Sequence, residues 1–175
     1  MYIIGINPTA VRTSSEGPAF KLGTLGAVAP GSAGYTAPMS DTGTTAGASH
    51  GPRAFVYVQV TSSVTAGQAV IINASHAAVP AAALASSTGY RVGAAYASID
   101  AGGYGWVQVY GDATVNVVSG TAVGTAVSTS GTAGSLDDLT AGAGLRPVTG
   151  VLIGSVNGTT GSVFLNWPVI GAAFS

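Results

Sequence analysis

The chain has no cysteine and very little charge. Of 175 residues, five are Lys or Arg and six are Asp or Glu, so 6% are charged, against a usual share of about 25%. Without cysteine there is neither a disulfide framework nor a thiolate metal site. Five scattered cations and a net charge of −1 provide no basic stripe for phosphates, which argues against nucleic acid and anionic membrane surfaces as partners. The longest apolar run, residues 77–85, is broken by Pro80 and falls well short of the ~20 residues that cross a bilayer. The opening Met-Tyr-Ile-Ile-Gly-Ile-Asn-Pro has no basic stretch ahead of an apolar segment, so no secretory signal is expected. Ser, Thr, Asn, Gln and backbone groups must therefore hydrate the surface. Such groups lose less than ions do when another surface covers them, and interface centres are themselves depleted in charge. The composition suggests a subunit built to be covered.

What the chain does have is strand signal. The stretch Gly103–Val118 reads Gly-Tyr-Gly-Trp-Val-Gln-Val-Tyr-Gly-Asp-Ala-Thr-Val-Asn-Val-Val, two β-rich runs around Gly111-Asp112. That dipeptide suits a type II′ turn and predicts a hairpin with Tyr110 opposite Ala113 and Trp106 opposite Val117. Neither face of it is charged, so both need a cover, from this chain or from another. Residues 54–61 alternate, with Phe55, Tyr57 and Gln59 on one side and Val56, Val58 and Val60 on the other. Further strands are expected at Tyr2–Ile6, Phe20–Leu25, Gln68–Asn73 and Tyr90–Ala97. A last hairpin, Val148–Val156 with Ser162–Trp167, turns at Asn157-Gly158, and Pro168 marks an edge or an exit. A short helix is expected within Ser75–Thr88, and a loop at Leu136–Gly144. The 27 glycines fall mostly at turns. The whole reads as all-β, a single antiparallel β-sandwich or barrel-like domain over residues 51–175. Residues 1–50 read as an extended Gly/Ser/Thr-rich N-terminal arm, ordered on an assembly.

Chemistry is hard to find. His50 and His76 have no metal-ligand spacing, and no Gly-x-Ser-x-Gly elbow surrounds a serine. Either histidine would need Asp41 or Asp100 and a serine beside it in space. Asp137 and Asp138 lack the further acids of a calcium loop. No catalytic residue, metal or cofactor is expected. Tyr90, Tyr96, Tyr104, Trp106, Tyr110 and Trp167 could form a sugar-stacking platform, but such rings more often fill cores or interfaces.

Three segments carry a resemblance: Gly89-Tyr-Arg-Val-Gly93, then Tyr104-Gly-Trp-Val-Gln-Val-Tyr-Gly111, then Gly120-Thr-Ala-Val-Gly124, which the resemblance makes a small-residue strand. In this spacing the chain from Arg53 to Ile170 resembles the capsid decoration, or cement, proteins of tailed bacteriophages. The resemblance implies a β-rich, frequently trimeric protein, made in the host cytoplasm. It would bind the outside of an expanded icosahedral shell at junctions between major capsid subunits, often gripping with an N-terminal arm. The major capsid protein is the implied partner, with Tyr104, Trp106, Tyr110, Phe20 and Arg53 as expected interface residues. The alternative is a carbohydrate-binding or adhesin-like β-module on a virion or cell surface.

Overall fold

The computed structural model describes residues 1–28, 52–82, 87–139 and 145–172. Among them there is no helix. Eleven strands form one sheet: β1 (Tyr2–Ile4), β2 (Leu25–Val28), β3 (Arg53–Val60), β4 (Ala69–Ile72), β5 (Ala77–Pro80), β6 (Arg91–Ala95), β7 (Tyr104–Asn116), β8 (Val127–Thr129), β9 (Leu136–Asp138), β10 (Pro147–Asn157) and β11 (Thr160–Ile170). The sheet is mixed and not purely antiparallel as expected, because β1 with β2 and β3 with β5 pair in parallel.

The middle of the sheet closes on itself. β3 pairs with β5, β5 with β4, β4 with β6, β6 with β7, and β7 returns to β3. A ring of five strands is narrow, so its inside must be filled by small branched side chains. The alternation in β3 supplies them: Val56, Val58 and Val60 point inward and meet Val70, Ile72, Ala78, Ala95, Val107 and Val109. Val64 and Ile99, joined by an isolated bridge, belong to the same core.

Two further cores lie outside the ring. Over β3 and β7, Phe55, Tyr57 and Trp106 are covered by Ile6, Phe20 and Leu22 from the N-terminal segment, and β2 pairs with β3. Over β4 and β6, Ile71, Val92 and Ala94 pack with Val115, Val117, Leu136, Ile153, Val163 and Leu165. Residues 1–28 thus belong to the packed body. The rest of the expected arm, residues 29–50 with Asp41 and His50, lies outside the described residues.

The expected hairpin at Gly111-Asp112 does not form. β7 runs straight through both residues and changes partner there: Tyr104 to Tyr110 pair with β3, and Tyr110 to Asn116 with β11. The change is made by a bulge. Tyr110 pairs with Ala54 and Gln108 with Phe55, which leaves Val109 as the extra residue. Gly111 then takes φ +90°, and a Cβ there would sit 2.6 Å from the Pro52 carbonyl oxygen. Gln108 is buried, and its side-chain amide donates to the carbonyls of Tyr110 and Asp112 at 3.1 and 2.8 Å. It thereby satisfies two carbonyls of its own strand just where the ladder changes hands.

Four smaller expectations also change. The segment expected to be helical contains β5, which fits because it lies between β3 and β4 and Pro80 ends it. At Phe20–Leu25 a turn comes first, with Thr24 N–H donating to the Lys21 carbonyl, and the strand begins at Leu25. The expected loop at Leu136–Gly144 opens with β9, an edge strand on β8. Gly120-Thr-Ala-Val-Gly124 is turn and not strand, both glycines having positive φ. The final hairpin forms as expected, with Gly158 at φ +62° in its turn.

Candidate interaction surface

The structure gathers no catalytic constellation among the described residues. His76 is half-buried with its ring against Gly23, in a turn where the Asn73 carboxamide oxygen accepts from the N–H groups of Ser75 and Ala77. It lines a depression of about 310 Å³ with Asn73, Tyr90 and Arg91. No group of three or more His, Asp or Glu side chains able to hold a metal occurs among the described residues. Asp137 has a structural use: its carboxylate accepts from the Thr121 hydroxyl at 3.0 Å and from the Asp138 N–H at 2.9 Å.

Of the aromatic residues singled out by sequence, Trp106 is buried, Tyr90, Tyr96, Tyr104 and Tyr110 are half-buried, and Trp167 is exposed. Trp106 is 1% exposed, with Tyr57 at 5.0 Å and Phe20 at 5.3 Å between ring centres. Tyr104 stacks on Tyr57 at 6.5 Å, and its hydroxyl accepts from the Gln59 carboxamide at 3.2 Å. The Tyr57 hydroxyl accepts from the Ala19 N–H at 3.1 Å. Tyr96 meets Phe55 edge-on at 5.5 Å. Burial pushes the Tyr96 hydroxyl pKa above its usual value, and the charge and hydrogen bond of the nearby Arg53 partly oppose the shift. Arg53 itself is buried. Tyr104, Trp106, Phe20 and Arg53 therefore sit where the N-terminal segment meets the ring. The second cover for the first half of β7 comes from its own chain.

Tyr110 is different. It lies where β7 leaves β3 for β11, and its ring meets Phe164 at 5.6 Å and Trp167 at 6.4 Å. Phe164 is 40% exposed and Trp167 38%, with Leu152 and Val169 also exposed around them. Cross-strand register explains the grouping: Phe164 faces Asp112 on one side and Leu152 on the other, Asn166 faces Tyr110, and Val169 faces Arg91. The Arg91 guanidinium lies 5.6 Å from the centre of the Trp167 ring, within cation–π range.

Trp167 reaches this group through a second bulge. Thr149 pairs with Val169 and Val151 with Leu165, so Asn166, Trp167 and Pro168 stand opposite Gly150 alone. Trp167 takes φ +50°, which a large side chain seldom adopts. Gly150 makes room at φ +80°, since a Cβ there would fall 2.5 Å from the Asn166 carbonyl oxygen. Pro168, expected at an edge or an exit, lies inside β11 at this bulge, where no ladder N–H is required of it.

Sequence reading named Tyr110 and Trp167 but missed Phe164, Leu152, Val169 and Arg91. A signal for Phe164 was present. Val163 and Leu165 alternate inward, which puts Phe164 on the outer face with Ser162 and Asn166. No protein-family model matches the chain, and no curated protein matches it either. The surface has to be read from its own chemistry.

Proposed function

We propose that this protein is a non-enzymatic virion structural protein that binds the outer surface of an icosahedral phage shell and braces it by bridging major capsid subunits. The observation that carries the reading is the group that half-buried Tyr110 forms with exposed Phe164, Trp167 and Arg91, set on a chain with very little charge. Trp, Tyr and Arg are the residue types that dominate binding energy at protein interfaces. A surface hydrated by hydroxyls and amides resists being covered less than a charged one does. The resemblance of Arg53–Ile170 to capsid decoration proteins supplies the class of partner.

The action is mechanical. Binding the mature lattice more tightly than separated subunits shifts the equilibrium toward that lattice. A homo-oligomer, by the resemblance a trimer, holds through several modest contacts at once. The test is co-sedimentation with DNA-free expanded heads assembled from the major capsid protein of the phage that, on this reading, encodes the chain. Wild type is expected to pellet with the heads, and the double variant Phe164→Ser, Trp167→Ala to lose at least about tenfold in affinity. Wild type that stays in the supernatant overturns the virion reading.

The same patch favours one second reading, a carbohydrate-binding module, because Asn166 and Asp112 place hydrogen-bonding groups beside the rings. The Tyr110 and Trp167 rings are tilted by 32° and Phe164 stands at 73° to Tyr110. That suits one sugar against Trp167 and not a row of stacked sugars. A glycan array separates the two readings, since a bracing protein gives no saccharide hit there.

A further inference from the structure

The sheet ends in β1 on one side and β9 on the other, and the two ends are finished differently. β9 carries Asp137 and Asp138, and Leu136 bridges to Val117. Charge and cover of this kind keep a strand edge from pairing with another chain. β1 has neither. No charged side chain occurs between Tyr2 and Val11, and Tyr2 and Ile4 are 59% and 72% exposed.

The ladder shows which main-chain groups are left over. The Met1 carbonyl accepts from Leu25 N–H at 3.0 Å, and Gly5 N–H donates to the Ala27 carbonyl at 2.9 Å. Tyr2, Ile3 and Ile4 pair in parallel with Leu25, Gly26 and Ala27. Main-chain groups alternate direction along a strand. Residues 1, 3 and 5 therefore turn theirs toward β2, and Tyr2 and Ile4 turn theirs outward.

We propose that β1 docks against β1 of a second copy of this chain, antiparallel across a twofold axis centred on Ile3. In that register Tyr2 of each copy faces Ile4 of the other. The N–H and C=O groups of the two residues exchange hydrogen bonds in both pairs, so all four outward groups of each copy are used. Sliding the strands by two residues leaves only one such pair, which fixes the register. Each pair also sets an aromatic side chain against a β-branched one on the same face, a favourable cross-strand combination. The edge is its own complement, as a twofold contact requires, and no like charges meet across it. β9 is a poorer partner because two carboxylates guard it. The contact is independent of the capsid reading and adds to any threefold association.

Two substitutions test it without touching a bond to β2. Ile4→Pro removes an outward N–H, and Ile4→Lys puts a cation into each of the two cross-strand pairs on the same face. Sedimentation velocity on the full chain, from micromolar to millimolar concentration, is expected to show wild type associating through this edge. Both variants should weaken that association at least about tenfold, with unchanged near-ultraviolet circular dichroism. Amide exchange at Tyr2 and Ile4 should slow as wild-type concentration rises. Wild type whose mass equals that of Ile4→Lys at every concentration overturns the proposal.

Discussion

Between Tyr104 and Tyr110, β7 is covered on both faces; from Asp112 to Asn116 it is covered on one. The first half has the ring interior on one side, through Val107 and Val109, and the N-terminal segment on the other, against Trp106. The second half buries Val115 in the outer core and turns Asp112, Thr114 and Asn116 toward the other face. Neither half needed charge, but for different reasons. In the first half a charged side chain would be buried without water. In the second, hydroxyl and amide groups do the hydrating, and Asp112 is the one charged residue of the strand. Low charge in a sequence therefore has two structural meanings, and only the neighbours of a strand tell them apart.

Three substitutions separate the halves. Trp106→Ala should act most strongly, costing about 3–5 kcal/mol in chemical denaturation, because it opens a cavity between Phe20 and Tyr57. A loss below about 1 kcal/mol would mean that the N-terminal cover contributes little. Gln108→Leu attacks the joint between the halves. It removes the side-chain donor to the Tyr110 and Asp112 carbonyls and should cost about 1–3 kcal/mol. An unchanged denaturation midpoint would show that the bulge holds without the carboxamide. Phe164→Ser, on the open half, should shift stability by less than about 1 kcal/mol, the scale of one cross-strand pair, while weakening attachment to expanded heads. If it destabilises as much as Trp106→Ala, the open face is a covered one.

Much of this was legible in the sequence. The alternation of residues 54–61 identified β3 and sorted its inward valines from its outward rings, because a period of two leaves no other choice. Asn157-Gly158 located the final turn for an equally local reason. Gly111-Asp112 misled because a glycine at positive φ serves a hairpin turn and a strand kink alike. What decides between them is the partner, and β3 begins more than fifty residues earlier. The Ala-rich stretch at 77–80 failed similarly: its composition favours helix, yet its place between β3 and β4 makes it a strand. The interaction surface was half visible. Tyr110 and Trp167 stood out as aromatics, but their meeting depends on a bulge opposite Gly150 that no local pattern announces.

The closure of the ring by β3 and β7 also sets the order in which the chain can acquire its structure. β3 must wait for residues 104–110 before one of its edges is satisfied, and the segment carrying Ile6, Phe20 and Leu22 is synthesised before the Trp106 side chain it covers. Pairings between such distant parts of a chain slow folding and prolong the exposure of apolar surface. On the ribosome, the N-terminal residues emerge as a lid with nothing yet beneath it. The protein should therefore fold late, with its apolar surface open to aggregation at least until β7 has left the exit tunnel.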